Sequence, residues 1–293
     1  EKAPTNRFDS ITYIIKKIPI KDWMWLIMDY SDNVIIPLDT ETQINLEESP
    51  HILITGKTGF GKTTLMKWLI LCFMSQKYCN GGKIYIIDNK RSQLFAWRRV
   101  LKKGNQTVVS SANRAAQLLR IMTENMNHRY SDNVPDINNG YSIYHFRPIL
   151  IVIDELTSLL AEDSKVSSEI NDYLTQLIMK GREAQIYLLV GLQRPESKAI
   201  DTNIRAQFNT RIFLGPSSTE ELKMIFPMVN KQNRPIYPAG RGEGLVFLEN
   251  QGWQLPRPCK APDIRKLDIF KAITKIQSQP DYCDFLNEPY WQE

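Results

Sequence analysis

At 293 residues, 42% hydrophobic and 24% charged, the chain has ordinary globular composition and the length for one large α/β domain with small appendages. A net charge of +5 is too slight to argue by itself for a polyanionic partner. Cys72, Cys79, Cys259 and Cys283 form no Cys-x-x-Cys pair, which sets aside a disulfide framework and favours a reduced, intracellular protein.

Residues 1–48 read as a mixed accessory segment. Trp23 to Met28 is apolar but short, and Asp22 and Asp29 bracket it. No apolar run approaches the ~20 residues of a membrane helix. The longest, Leu65 to Met74, carries Lys67. No signal peptide is visible, but a chain opening on Glu1 rather than Met leaves room for a preceding membrane anchor. Asn33 to Leu38 is expected to enter the main domain as a strand.

Ile52 to Thr55 reads as a short buried strand, and Thr63 to Met74 as a helix. Between them, Gly56, Lys57, Thr58, Gly59, Phe60, Gly61, Lys62 and Thr63 fit G-x-x-x-x-G-K-[ST]. Such a loop turns successive backbone N–H groups toward one point, and the helix N-terminus adds partial positive charge, so polyphosphate is its natural occupant. The pattern predicts ATP over Gly56 to Thr64, with Lys62 on the β- and γ-phosphates and the Thr63 hydroxyl on Mg²⁺.

Lys83 to Asp88 is a strand ending in a carboxylate, followed by Asn89, Lys90 and Arg91. Asn113 to Arg129 is an amphipathic helix, and Ser131 to Tyr144 a polar surface loop. Ile149 to Ile153 is apolar throughout, as expected of a parallel strand buried on both faces. It runs into Asp154 and Glu155. With the upstream loop, this predicts Asp154 as a Mg²⁺ ligand through its water shell and Glu155 as the base that orients the attacking water.

Ile170 to Lys180 is a helix, with Gly181 at its stop. Arg182 lies just beyond, where capping of the helix carbonyls is the plain reading. Ile186 to Val190 is a buried strand leading to Gln193, an amide placed to sense the γ-phosphate. Arg211 to Leu214 follows. Ser218 and Glu221 have capping-box spacing ahead of a short helix. Leu245 to Leu248 closes the strand series, Pro256 to Pro262 reads as a linker, and Leu267 to Ile276 as a last helix. The alternation predicts an α/β fold: a RecA-like P-loop NTPase core, its mostly parallel sheet flanked by helices, over residues 49–255. Residues 256–293 form the expected linker and helix. Ligands of such sheets bind beyond the carboxyl ends of the strands, where the loop, Asp88, Asp154 and Gln193 all lie.

Several stretches together resemble the FtsK/SpoIIIE branch of the FtsK–HerA DNA-translocating ATPases. Pro50 to Gly56 resembles its P-H-[LI]-L-[VI]-x-G entry to the P-loop. Ile87-Asp88-Asn89-Lys90 resembles I-D-P-K, with Asn89 where proline is usual. Val152 to Leu156 matches its Walker B. Gly181 to Leu188 resembles R-x-x-G-I-H-L, with Gln185 replacing glycine. Gly191 to Pro195 resembles A-T-Q-R-P, and Asn209 to Ile212 resembles P-T-R-I. The likeness covers roughly residues 33–260.

This resemblance implies a ring-forming, hexameric ATPase acting on double-stranded DNA. In related conjugative coupling ATPases, an arginine eleven positions before the sensor glutamine reaches the neighbouring subunit's nucleotide; Arg182 stands eleven before Gln193. That makes Arg182 the expected trans-acting finger. The family's pore-facing loop follows Q-R-P, and here that stretch holds Lys198 and Arg205 as DNA-phosphate candidates. Residues after 263 are too few for the winged-helix module that reads DNA polarity. This favours a conjugation or mobile-element coupling ATPase, cytoplasmic or at the inner face of the membrane, with relaxosome or membrane proteins as partners. A protein-secretion ATPase of the type VII kind and a nucleotide-binding scaffold without turnover are the alternatives.

Overall fold

The computed structural model describes residues 34–39, 41–75, 83–141, 146–194 and 202–278. Its centre is an eight-stranded sheet in the order β10-β9-β8-β3-β7-β6-β4-β5. The strands are β3 (His51–Gly56), β4 (Lys83–Ile87), β5 (Val108–Val109), β6 (Ile149–Ile153), β7 (Ile186–Leu192), β8 (Thr210–Leu214), β9 (Glu243–Leu248) and β10 (Arg257–Lys260). From β8 across to β5 every pairing is parallel; β9 runs antiparallel to both β8 and β10. The expected mostly parallel sheet is therefore present.

The parallel strands are apolar because both faces are covered, and their period-two alternation feeds two cores. Ile52, Ile54, Ile84, Ile86, Leu150 and Val152 join one. Leu53, Tyr85, Ile87, Ile149, Ile151 and Ile153 join the other. The first is closed by α1 (Lys62–Met74) and α8 (Ile269–Gln277). The second is closed by α3 (Ala112–Ser131), α4 (Leu156–Leu160), α5 (Ser164–Lys180) and α7 (Thr219–Ile225). Two single-turn helices, α2 (Gly104–Thr107) and α6 (Thr202–Ala206), complete the chain order. The capping box read at Ser218 is present: Ser218 Oγ accepts from Glu221 N–H at 3.1 Å, and Ser218 N–H donates to Glu221 Oε2 at 2.7 Å.

Helix α1 is apolar from Leu65 to Met74 except for Lys67, which marks a helix covered on nearly every side. The cover opposite the sheet is a two-stranded antiparallel hairpin, β1 (Ile35–Pro37) and β2 (Gln43–Asn45). Ile36, Leu38, Ile44 and Leu46 pack on the helix side, and Trp68 Nε1 on α1 donates to the Pro37 carbonyl at 2.7 Å. The strand expected to enter the main domain over Asn33 to Leu38 thus pairs in its own small sheet; Asn33 itself lies outside the described residues.

Two other expectations change. Pro256 to Pro262 was expected as a linker, yet Arg257–Lys260 pairs with β9 as the outermost strand. Proline is tolerated there because an edge strand has one unpaired side. The glycine of R-x-x-G is Gln185 here, and the backbone still takes the left-handed conformation, with φ 54°. The turn between α5 and β7 therefore imposes the conformation even where the side chain disfavours it.

His51 opens β3 fully buried, and its Nδ1 accepts from Leu188 N–H at 3.3 Å. Burial pushes its pKa down to about 4, offset slightly by the backbone at Ile178. Above pH 6.5 the imidazole is neutral in both folded and unfolded chains and has no effect on pH dependence. Between pH 6.5 and 4 only the unfolded chain takes up the proton, so this group removes stability as pH falls. The loss reaches about 3 kcal/mol by pH 4 and about 2 kcal/mol at pH 5. Urea unfolding at pH 7 and pH 5 should show a smaller loss in His51→Asn than in the parent; equal losses contradict the assignment.

Candidate functional site

The phosphate-binding loop leaves β3 at the middle of the sheet. Gly59 and Gly61 take φ of 89° and 99°, a region that a side chain disfavours, and this lets the loop wrap before α1 begins at Lys62. Gly56, Lys57, Thr58, Gly59, Gly61, Lys62, Thr63 and Thr64 line one open cleft. Phe60 differs from its expected part. Its ring turns down against the first core, where a Cβ on Gly215 would collide with it, so Phe60 gives the loop a foothold and does not line the cleft.

Across the cleft stand the ends of β7, which pairs with β3, and of β6, the next strand over. Lys62 Nζ donates to the Asp154 carbonyl at 2.9 Å and to Glu155 Oε2 at 3.1 Å. The second oxygen of Glu155 accepts the Gln193 backbone N–H at 3.1 Å. Gln193 Nε2 in turn donates to Thr58 Oγ in the loop. One continuous chain of contacts thus runs from Thr58 through Gln193 and Glu155 to Lys62. Lys90 adds a second cation, 3.9 Å from Glu155 Oε2.

Asp154 is 6% exposed, and its Oδ1 has no hydrogen-bond partner. Burial pushes its carboxyl up, with Lys62 opposing and Asp88 reinforcing the shift. A buried carboxylate oxygen without a partner, on the residue whose carbonyl holds Lys62, suits a hydrated divalent cation. Among the described residues no group of three or more His, Cys, Asp or Glu could hold a metal alone. That fits Mg²⁺, which is commonly held by one or two protein oxygens together with substrate phosphates. Asp88 organises the neighbouring turn: its Oδ2 accepts from Ser92 N–H and Phe95 N–H, both at 2.9 Å, and from Ser92 Oγ at 2.8 Å. Ser92 Oγ also lies 3.2 Å from Asp154 Oδ2.

The back of this arrangement leaves no room. A Cβ added at Gly191 would fall well inside contact distance of the Asp154 carbonyl oxygen and 3.2 Å from Lys62 Nζ. Gly191→Val is expected to lower stability by about 1–3 kcal/mol, the usual cost of overpacking, and to weaken ADP binding by displacing Asp154 and Lys62 together. Thermal unfolding and calorimetric ADP titration check both effects; a variant matching the parent in each contradicts the packing.

Arg182 does not reach this cleft. It precedes β7, whereas the cleft lies beyond that strand's far end, ~20 Å away for a seven-residue strand. Its Nε donates to the Glu47 carbonyl at 2.8 Å rather than to the carbonyls of α5. Arg205 Nη1 donates to the Met224 carbonyl at 3.1 Å, near the end of α7. Lys198 lies outside the described residues. Two further side chains line the cleft that sequence reasoning missed, Gln93 and Arg241. Gln93 sits one residue after Ser92 in the turn that Asp88 builds. For Arg241 the available signal was its setting between Gly240 and Gly242.

Residues 30–134 match the model of the FtsK/SpoIIIE family. The FtsK domain-containing protein YdcQ of Bacillus subtilis is 31% identical over 222 residues, spanning 74% of this chain and 45% of YdcQ. The DNA translocase FtsK of Chlorobaculum tepidum is 24% identical over 80% of this chain and 30% of its own length. The DNA translocase SftA of B. subtilis is 25% identical over 86% and 26%. The chain thus spans less than half the length of these curated relatives. In fold it is similar to the pCW3 conjugation coupling protein TcpA, solved in a monomer form with ATPγS. The TM-score is 0.69 at 22% identity, covering 90% of this chain and 76% of that one. It is likewise similar to ATPases 2 and 3 of EssC from Geobacillus thermodenitrificans, with a TM-score of 0.59 at 18% identity, covering 80% and 45%. With the loop, Glu155 and the sensor amide lining one cleft, the chain carries a domain of the FtsK/SpoIIIE family.

Proposed function

We propose that this chain is the ATPase core of a motor that moves double-stranded DNA, in conjugative or mobile-element transfer. The observation that carries the reading is the closed set of contacts Thr58–Gln193–Glu155–Lys62 beside the unpartnered Asp154 Oδ1. Thr63 and Asp154 would hold Mg²⁺, which supplies charge neutralisation on the β- and γ-phosphates when bound. The loop N–H groups and Lys62 hold the triphosphate. Glu155 takes a proton from the attacking water, the new bond forms at the γ-phosphorus, and the bond to the β–γ bridging oxygen breaks to release ADP. Gln193, tied to both Glu155 and the loop, registers whether the γ-phosphate is present.

Relatives named DNA translocases favour DNA over a peptide as cargo. The assembly proposed is a homo-oligomeric ring, hexameric when closed on DNA, in which Arg182 serves the neighbour's site. The proposed location is the cytoplasmic side of the membrane, with relaxosome or membrane proteins as further partners. The test is ATPase activity with and without double-stranded DNA across a range of salt. Stimulation that fades as salt rises is expected of phosphate-backbone contact. Turnover indifferent to DNA at every salt concentration rejects the DNA reading, and no ATP binding at all rejects the ATPase reading.

A further inference from the structure

We infer that Arg241 binds the nucleoside half of the nucleotide, its guanidinium meeting the base. This deepens the ATP-site reading above and rests on it. The groups expected to act on the γ-phosphate, Lys62, Glu155 and Gln193, together with Lys90, converge from the loop and the ends of β6, β7 and β4, all on one side of β3. Arg241 lines the same cleft from the opposite side. It stands just before β9, and because β9 runs antiparallel to β8, its first residue reaches the edge where the parallel strands end.

The position is fixed by the backbone. Gly242 N–H donates to the Phe60 carbonyl of the phosphate loop at 2.9 Å, and the Gly242 carbonyl accepts from Ala261 N–H at 2.7 Å. A Cβ on Gly61 would lie only 3.3 Å from Gly242 Cα, so the two loops touch through glycines. The Arg241 side chain is exposed and makes no hydrogen bond or ion pair with the described residues. A cation riveted to the phosphate loop with its donors unspent, on the side away from the γ-phosphate groups, faces where the rest of a nucleotide must extend. A planar guanidinium stacks on an aromatic base.

The experiment is calorimetric titration of the parent, Arg241→Ala and Lys62→Ala with ADP and with inorganic tripolyphosphate. Loss of the guanidinium–base contact should weaken ADP binding to Arg241→Ala by about tenfold, with tripolyphosphate binding nearly unchanged. Lys62→Ala should weaken both ligands. ADP affinity equal to the parent's, or an equal loss for both ligands, overturns the inference while leaving the ATP site standing. A parent that binds neither ligand overturns the ATP site and this inference with it.

Discussion

Glu155→Gln is expected to lower ATP turnover by ~10²–10⁴-fold, the range for loss of a positioned general base, while ADP binding persists. The substitution keeps the size of the side chain and an oxygen that can still accept the Gln193 N–H. What it removes is the ability to take a proton from water, together with the charge facing Lys62 at 3.1 Å. Because Glu155 is 3% exposed, the neutral amide also relieves a buried carboxylate, so the fold should tolerate it. Single-turnover hydrolysis beside equilibrium ADP binding separates the two effects. Turnover within a few-fold of the parent would remove Glu155 from the reaction and leave Lys90 or an outside group to activate the water.

The second large effect belongs to Arg182. In trans, an arginine that stabilises the transferring phosphoryl is worth ~10³–10⁵ in kcat, so under the proposed ring assembly Arg182→Ala should nearly abolish turnover. The placement excludes action on its own chain's cleft, since a whole strand of ~20 Å separates them. Its visible bond is a single one, from Nε to the Glu47 carbonyl, and loss of an exposed contact of this kind should change stability by about 0.5 kcal/mol or less. Mixing gives the decisive test. Arg182→Ala and Glu155→Gln are each inactive alone, but a mixed ring places an intact base opposite an intact arginine at some interfaces and should recover part of the activity. No recovery on mixing, with mixed rings demonstrated by mass, would assign Arg182 to holding the hairpin through Glu47 and nothing more.

Much of the site was legible from the chain itself. The loop from Gly56 to Thr63 carries its own conformational demand, since glycines alone accept the φ values found at Gly59 and Gly61. Ile149 to Ile153 is apolar at every position because neither face of β6 meets water, and the carboxylates that follow stand at the strand's carboxyl end. Local periodicity also gave α3 and the capped start of α7, because a helix is written by residues three and four apart. Weaker local signals misled. Two prolines made Arg257–Lys260 look like a linker, and the partner that turns it into a strand, β9, lies elsewhere in the sequence.

By itself, then, the sequence determined the phosphate loop, the buried strands and the candidate side chains at their ends, since each depends on neighbours a few residues away. The tertiary structure alone decided that Gln193 bridges Glu155 and Thr58, that Phe60 faces inward, that Arg182 stands a strand's length from its own cleft, and that Arg241 closes the far side. Those outcomes depend on which strands lie side by side and in which direction they run. Such pairings are fixed by hydrogen-bond register and burial between segments distant in the chain, which no local pattern encodes.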